Sequence, residues 1–202
     1  MNPISVITGT ALPLDRSDVD TDQIIPAHWL KRVERTGFGA GLFSSWRDSD
    51  PDFVLNRPEF AGAKIMVAGP NFGVGSSREH AVWALQDYGF EAVVAPRFGD
   101  IFRNNATKTG LVTAMIHPEM AEALLRAVER NPTLLVTVDI ARRVVEAPAA
   151  NIRAEFPLDD FTQHRLLEGL DDIGLTLRHN DAVAAYEAKR STWLPTIETA
   201  AV

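Results

Sequence analysis

The 202-residue chain carries 20 Lys and Arg against 27 Asp and Glu, a net charge of −7, with 46% hydrophobic residues and a mean hydropathy of −0.06. A chain of this size buries roughly 70% of its unfolded surface and suits one ordinary domain; its acidic balance argues against nucleic acid or anionic membrane as the main partner. The absence of cysteine excludes disulfides, a thiolate nucleophile and cysteine-ligated iron–sulfur or zinc sites within these residues.

In chain order, Ile4 to Leu14 alternates apolar with small polar residues and predicts a strand, and Asp15 to Asp22 reads as a polar loop. Ile24-Ile25-Pro26 opens a short ordered segment to about Lys31. Val33 to Asp52 holds several glycines, with Phe38, Phe43 and Trp46 among them, but no sustained period; it reads as a long, partly mobile loop. Lys64 to Gly69 is a short apolar run and predicts a buried strand. A helix from about Ser77 to Tyr88 follows, with Gly89 in the terminating position. Glu91 to Ala95 predicts a strand, Asp100 to Lys108 a helix ending at Gly110, and Leu111 to Ile116 a strand. A helix begins at His117-Pro118, with proline in its first turn. Leu134 to Ile140, Arg142 to Glu146 and Asn151 to Phe156 read as a β-meander. Helices over Asp160–Leu170 and Asp181–Arg190 close the chain, with a frayed tail from Ser191. Strands alternating with helices predict a parallel βα core, and the meander makes the fold mixed α/β: one domain over 1–202 with a partly parallel central sheet.

The run Gly69-Pro70-Asn71-Phe72-Gly73-Val74-Gly75-Ser76-Ser77-Arg78-Glu79-His80-Ala81 concentrates the chemistry. It joins a strand to a helix through a glycine turn, the context of several phosphate-binding motifs. No lysine lies between Val67 and Gln86, so it is not a P-loop. As a dinucleotide fingerprint it has Arg78 at the third glycine and apolar residues where the acidic position falls, near Val93 to Ala95. It also lacks G-x-S-x-G. Ser76 and Glu79 have capping-box spacing, making Ser76 the expected N-cap. His80, four residues on, reads more simply as an ordinary surface or core residue of the second turn than as a base for Ser76. Arg78 is the anomaly, because a helix start already carries about +0.5 charge and disfavours a cation. Helix-start amides, two hydroxyls and a guanidinium fork together suit an anion such as a carboxylate. The five histidines show no ligand spacing, so any metal is expected from elsewhere.

The run Asn71-Phe72-Gly73-x-Gly75-Ser76-Ser77-Arg78-Glu79-His80-Ala81 resembles the signature of the aconitase-superfamily swivelling domain. Asp20-Thr21-Asp22-Gln23-Ile24-Ile25-Pro26, Phe102-Arg103-Asn104-Asn105-Ala106-x-Lys108-x-Gly110-Leu111 and Leu167-Glu168-Gly169-Leu170-Asp171-Asp172-Ile173-Gly174-Leu175-Thr176-Leu177 match three further blocks in family order. With its size, the chain is similar to the free-standing small subunits of the 3-isopropylmalate dehydratases of leucine biosynthesis. The resemblance implies a mixed β/β/α swivelling domain and isomerisation of 2-isopropylmalate to 3-isopropylmalate by dehydration and rehydration. It implies a heteromer in which a separate large subunit holds a [4Fe–4S] cluster as Lewis acid, with no cofactor or metal in this chain. It assigns Ser76 as the base, Ser77 and Arg78 as holders of a substrate carboxylate, and Asp22 to the same site. Aconitases proper read Trp-Leu-Lys-x-Arg after the Thr-Asp-x-Ile motif; here Trp29-Leu30-Lys31-Arg32-Val33 puts Val33 at that arginine. Leu30 and Val33 are thereby implied as an apolar specificity patch suited to an isopropyl group, although the neighbouring Arg32 and Arg35 could turn inward and both apolar residues could simply pack. The same scaffold serves homoaconitase and citraconate-type hydro-lyases, and a non-catalytic anion-binding module is the alternative of another class. No basic and apolar leader opens Met1–Val6 and no window approaches the ~18 apolar residues of a membrane span, so a cytoplasmic location is expected.

Overall fold

The computed structural model describes residues 1–31, 36–76, 78–191 and 193. Seven strands form one mixed sheet in the order β4-β3-β2-β1-β5-β6-β7: β1 (Val6–Leu14), β2 (Ile65–Ala68), β3 (Ala92–Ala95), β4 (Val112–Met115), β5 (Leu135–Asp139), β6 (Val144–Ala147) and β7 (Ile152–Glu155). The first four run parallel, and β5 to β7 are antiparallel.

Burial follows pairing. The runs Ile65–Ala68 and Ala92–Ala95 are wholly buried, as expected of strands covered on both faces in a parallel sheet. β7 alternates buried and exposed, as an edge strand with one wet face should. β1 does both. Its first half, Val6 to Thr10, pairs antiparallel with β5 and is partly exposed; its second half, Ala11 to Leu14, pairs parallel with β2 and is buried throughout.

Helix α1 (Thr21–Ile24) and α2 (Ser44–Ser49) lie in the β1–β2 connection, and α3 (Glu79–Tyr88) and α4 (Asp100–Thr109) link the parallel strands. Left-handed Gly89 and Gly110 end α3 and α4. Helix α5 (Pro118–Arg130) buries Ala121, Leu124, Leu125 and Val128 on one stripe and packs across β1, β2 and β3 and against β7. Among the described residues three helices follow β7: α6 (Asp160–Glu168), α7 (Asp172–Leu177) and α8 (Asn180–Glu187). Helix α7, capped by the Asp171 side chain at 2.7 Å from the Gly174 amide, was not anticipated because its six residues are too few to show a period.

The reading of Val33 to Asp52 as a loose loop requires correction over its described part. Phe38, Leu42 and Phe43 are fully buried, residues 39–41 form a 3-10 turn and α2 follows. Phe43 stacks on Trp46 at 5.4 Å, Trp46 meets Phe53 at 5.6 Å, and the Arg16 guanidinium covers the Trp46 ring at 4.3 Å. The Gly39 amide donates to Asp87 of α3 at 2.9 Å, and a Cβ at Gly39 would lie 2.8 Å from the Asp87 backbone. Aromatic packing and close backbone approach order this segment without periodicity. Val33 lies outside the described residues, as do Arg32 and Arg35 and most of the tail after Ser191.

Candidate active site

The glycine turn follows β2 and is stitched on two sides. Toward the N-terminal segment, the Asp18 amide donates to the Pro70 carbonyl at 2.9 Å, Gly73 to Val19 at 2.7 Å, and Thr21 to Val74 at 3.0 Å. Toward the loop after β3, Phe72 donates to the Arg97 carbonyl at 3.0 Å and receives the Gly99 amide at 2.9 Å. Gly73 (φ 73°) permits this: its backbone is left-handed, and a Cβ there would sit 2.3 Å from the Phe102 ring.

Asp20 and Gln23 form a reciprocal capping box at the start of α1. That box corrects the reading of Asp15–Asp22 as loop throughout, and its Asp-x-x-Gln pattern was legible. Thr21, buried to 2% exposure, donates its hydroxyl to the Ser76 carbonyl at 2.9 Å. Asp22, one residue on, forms an ion pair with Arg78. The two segments expected to share the site therefore meet through backbone and side chains: α1 brings Asp22, and the turn brings Ser76 and Arg78.

Ser76 is not the N-cap. Helix α3 starts at Glu79, and Arg78 occupies the cap position in extended conformation with no side-chain capping bond. The Thr21 hydroxyl and left-handed Gly75 (φ 91°) keep the turn running past Ser76, so helical geometry begins two residues later than predicted. The consequence is chemical. The Ser76 side chain is exposed and caps nothing, leaving its hydroxyl available to a ligand. The anomaly of Arg78 at a helix start is resolved locally, since the Asp22 carboxylate supplies the opposing charge. Arg78 is largely shielded at 19% side-chain exposure and Asp22 half open at 54%. One terminal nitrogen of the fork faces Asp22, and a guanidinium has five N–H donors, so the rest can hold a second carboxylate.

Of the two placements left open for His80, surface or core, the structure gives packing against aromatic rings, 5.3 Å from Phe38 and 4.7 Å from Trp83. Leu30 is half-buried and packs against the core at the end of a 3-10 turn over Ala27–Lys31. Ser77, like Val33, lies outside the described residues. Thr21 is the contributor that sequence reasoning missed: threonine beside Asp22 carried no sign that its hydroxyl would span 55 residues to the turn. Among the described residues no group of three His, Asp or Glu is arranged to hold a metal ion, and with no thiolate in the chain the residues present do not fit an iron–sulfur cluster. No helix among them is long and apolar enough to cross a membrane.

The model of the aconitase C-terminal domain matches residues 1–119, and that of the C-terminal domain of the 3-isopropylmalate dehydratase small subunit matches 172–200. A 3-isopropylmalate dehydratase small subunit from Acidothermus cellulolyticus is 62% identical over 97% of this chain and 98% of its own. The chain belongs to the 3-isopropylmalate dehydratase small-subunit family. Another member, from Rubrobacter xylanophilus, is 54% identical over 98% of this chain and all of its own. The fold is that of the family as well: a solved 3-isopropylmalate dehydratase structure from Methanocaldococcus jannaschii superposes with a TM-score of 0.65 at 25% identity, over 90% of this chain and 99% of the other.

Proposed function

We propose that this chain is the small subunit of a 3-isopropylmalate dehydratase, a hydro-lyase of leucine biosynthesis that interconverts 2- and 3-isopropylmalate, and that it works in complex with a large subunit. The observation that carries this reading is identity above 50% across nearly the whole chain to small subunits of that name. The Ser76, Arg78 and Asp22 cluster supports a catalytic role over a non-catalytic anion-binding module, because Ser76 is exposed and is not the residue that caps α3, as a base at that position requires.

In this proposal the Arg78 fork, with Ser77, holds one substrate carboxylate, and Asp22 orients the guanidinium. Ser76 as an alkoxide removes the proton from the carbon next to the hydroxyl-bearing one; water leaves and later returns at the other carbon. The apolar patch that the resemblance implies for the isopropyl group is Leu30 with Val33. A [4Fe–4S] cluster, whose chemistry is that of a Lewis acid for the departing hydroxyl, belongs to the large subunit. Location in the cytoplasm fits the same assignment.

Electrostatics explains why the free chain should be inactive. A serine hydroxyl is a very weak acid in water, and Arg78 can help only by direct attraction. Charges 4 Å apart gain about 1 kcal/mol at the dielectric of water and about 4 kcal/mol at an effective value of 20. With Ser76 and Asp22 open to solvent, the first figure governs. A partner that covers the site moves it toward the second.

The test is reconstitution. The chain alone should turn over no 2-isopropylmalate, and adding the large subunit should restore activity. In the complex, Ser76→Ala should lower kcat by at least 100-fold, the scale of a positioned proton-transfer group. Activity of the isolated chain, or an unaltered kcat in the variant, would remove the proposal.

A further inference from the structure

Helices α7 and α8 leave an apolar surface uncovered. Both are without a buried residue, and every described position from Thr176 onward is exposed. Five large apolar side chains stand in this stretch: Ile173 at 70% exposure, Leu177 at 62%, Val183 at 39%, Tyr186 at 73% and Trp193 at 80%. Helix α7 is anchored at both ends, at its start by Asp172 on Arg165 at 2.8 Å and just past its end by Arg178 on Glu168 at 3.3 Å. Helix α8 is different. Isolated helices shorter than about 12–15 residues are marginal in water, and most helix stability in proteins comes from burying an apolar face. The eight residues Asn180–Glu187 bury no side chain within this chain.

The two matched family models divide the chain ahead of these helices. The one covering 1–119 describes a C-terminal domain, a part of longer chains, and it stops well short of α7. The one covering 172–200 describes a piece of the small subunit itself. A domain on the same chain as its partner docks at an effective concentration of order mM, which a separate subunit forfeits. The separate subunit must regain it through added contact surface. A stable interface has aromatic anchors near its centre, and the described part of the 172–200 match carries two exposed aromatics, Tyr186 and Trp193.

We propose that α7, α8 and Trp193 beyond them, through Ile173, Leu177, Val183, Tyr186 and Trp193, form a docking surface for the large subunit, built on elements other than those that carry Ser76 and Arg78. The inference rests on the reading of this chain as a small subunit. The test uses the full chain, titrated into a fixed amount of the large subunit from the same source. Complex formation is read by sedimentation velocity and the 2-isopropylmalate rate separately. Leu177→Ser combined with Tyr186→Ser should raise the concentration for half-maximal complex at least tenfold, with kcat at saturation and the thermal midpoint of the free chain unchanged. Leu135→Ser, at an apolar position on β5 of similar exposure (57%), should leave the titration as it is. A double-variant midpoint within twofold of wild type overturns the docking surface. So does a wild-type homodimer that the double variant dissociates while large-subunit binding persists, since the occupant is then a second copy. If the wild-type chain binds the large subunit but the complex turns over no 2-isopropylmalate, the catalytic reading falls and the docking surface stands.

Discussion

Gly73→Ala tests whether the glycine turn is held by contact with α4 or only by its own backbone. Two costs add. A left-handed alanine costs about 1–2 kcal/mol, and an added methyl in a packed site typically costs about 1–3 kcal/mol. The second term applies because the new Cβ would meet Phe102 Cγ at 2.3 Å and its Cβ at 2.7 Å. Phe102 has little room to yield: its ring packs edge-on against Phe72 at 5.4 Å and stacks on Phe98 at 6.4 Å. The expected loss is therefore about 2–5 kcal/mol. Gly62 provides the control, with a similar φ of 76° and nothing within 4 Å of its added Cβ, so Gly62→Ala should show the backbone term alone, about 1–2 kcal/mol. Urea unfolding followed by far-UV circular dichroism measures both, and the difference between the variants isolates the steric term. Equal losses would refute the argument that Phe102 fixes the turn. Phe102→Leu in the Gly73→Ala background should recover part of the difference.

Arg78→Lys should raise KM for 2-isopropylmalate in the reconstituted enzyme, because a point charge cannot replace a fork; unchanged kinetics would take Arg78 out of substrate binding. Thr21→Val removes the hydroxyl that holds the Ser76 carbonyl and should cost about 1 kcal/mol of stability while lowering kcat. A stability loss with full kcat would make Thr21 a purely structural contact. Burial pushes the Asp139 carboxyl up, but hydrogen bonds from the Arg142 amide and guanidinium outweigh it and hold it below its ordinary value. A lowered folded value means stabilisation that is full above the unfolded pKa near 3.9 and lost as pH falls through the folded one. Stability of the wild type should therefore fall more steeply below pH 4 than that of Asp139→Asn, and parallel acid profiles in urea titrations would contradict this.

The parallel strands were legible in the sequence because a strand covered on both faces must be apolar throughout, and Lys64–Gly69 and Glu91–Ala95 could be little else. The terminating glycines Gly89 and Gly110 were legible for a similar reason: only their freedom at positive φ was needed. The grouping of Ser76, Arg78 and Asp22 was implied by the family resemblance of two motifs, and the structure joins the last two in an ion pair. Other features depend on contacts between distant residues and leave no local pattern. The segment around Phe38 and Phe43 is ordered by rings and backbones from α3 and beyond. The start of α3 is the clearest case. Locally, Ser76-x-x-Glu79 is a sound capping box; in the fold, the Thr21 hydroxyl and the bridge between Asp20 and Val74 hold the turn two residues longer. Sequence alone determined that two hydroxyls and a guanidinium follow the glycine turn. Tertiary structure decided that Ser76 does not cap α3, because the turn is tied at the Ser76 carbonyl to Thr21, 55 residues away, and the helix starts only at Glu79.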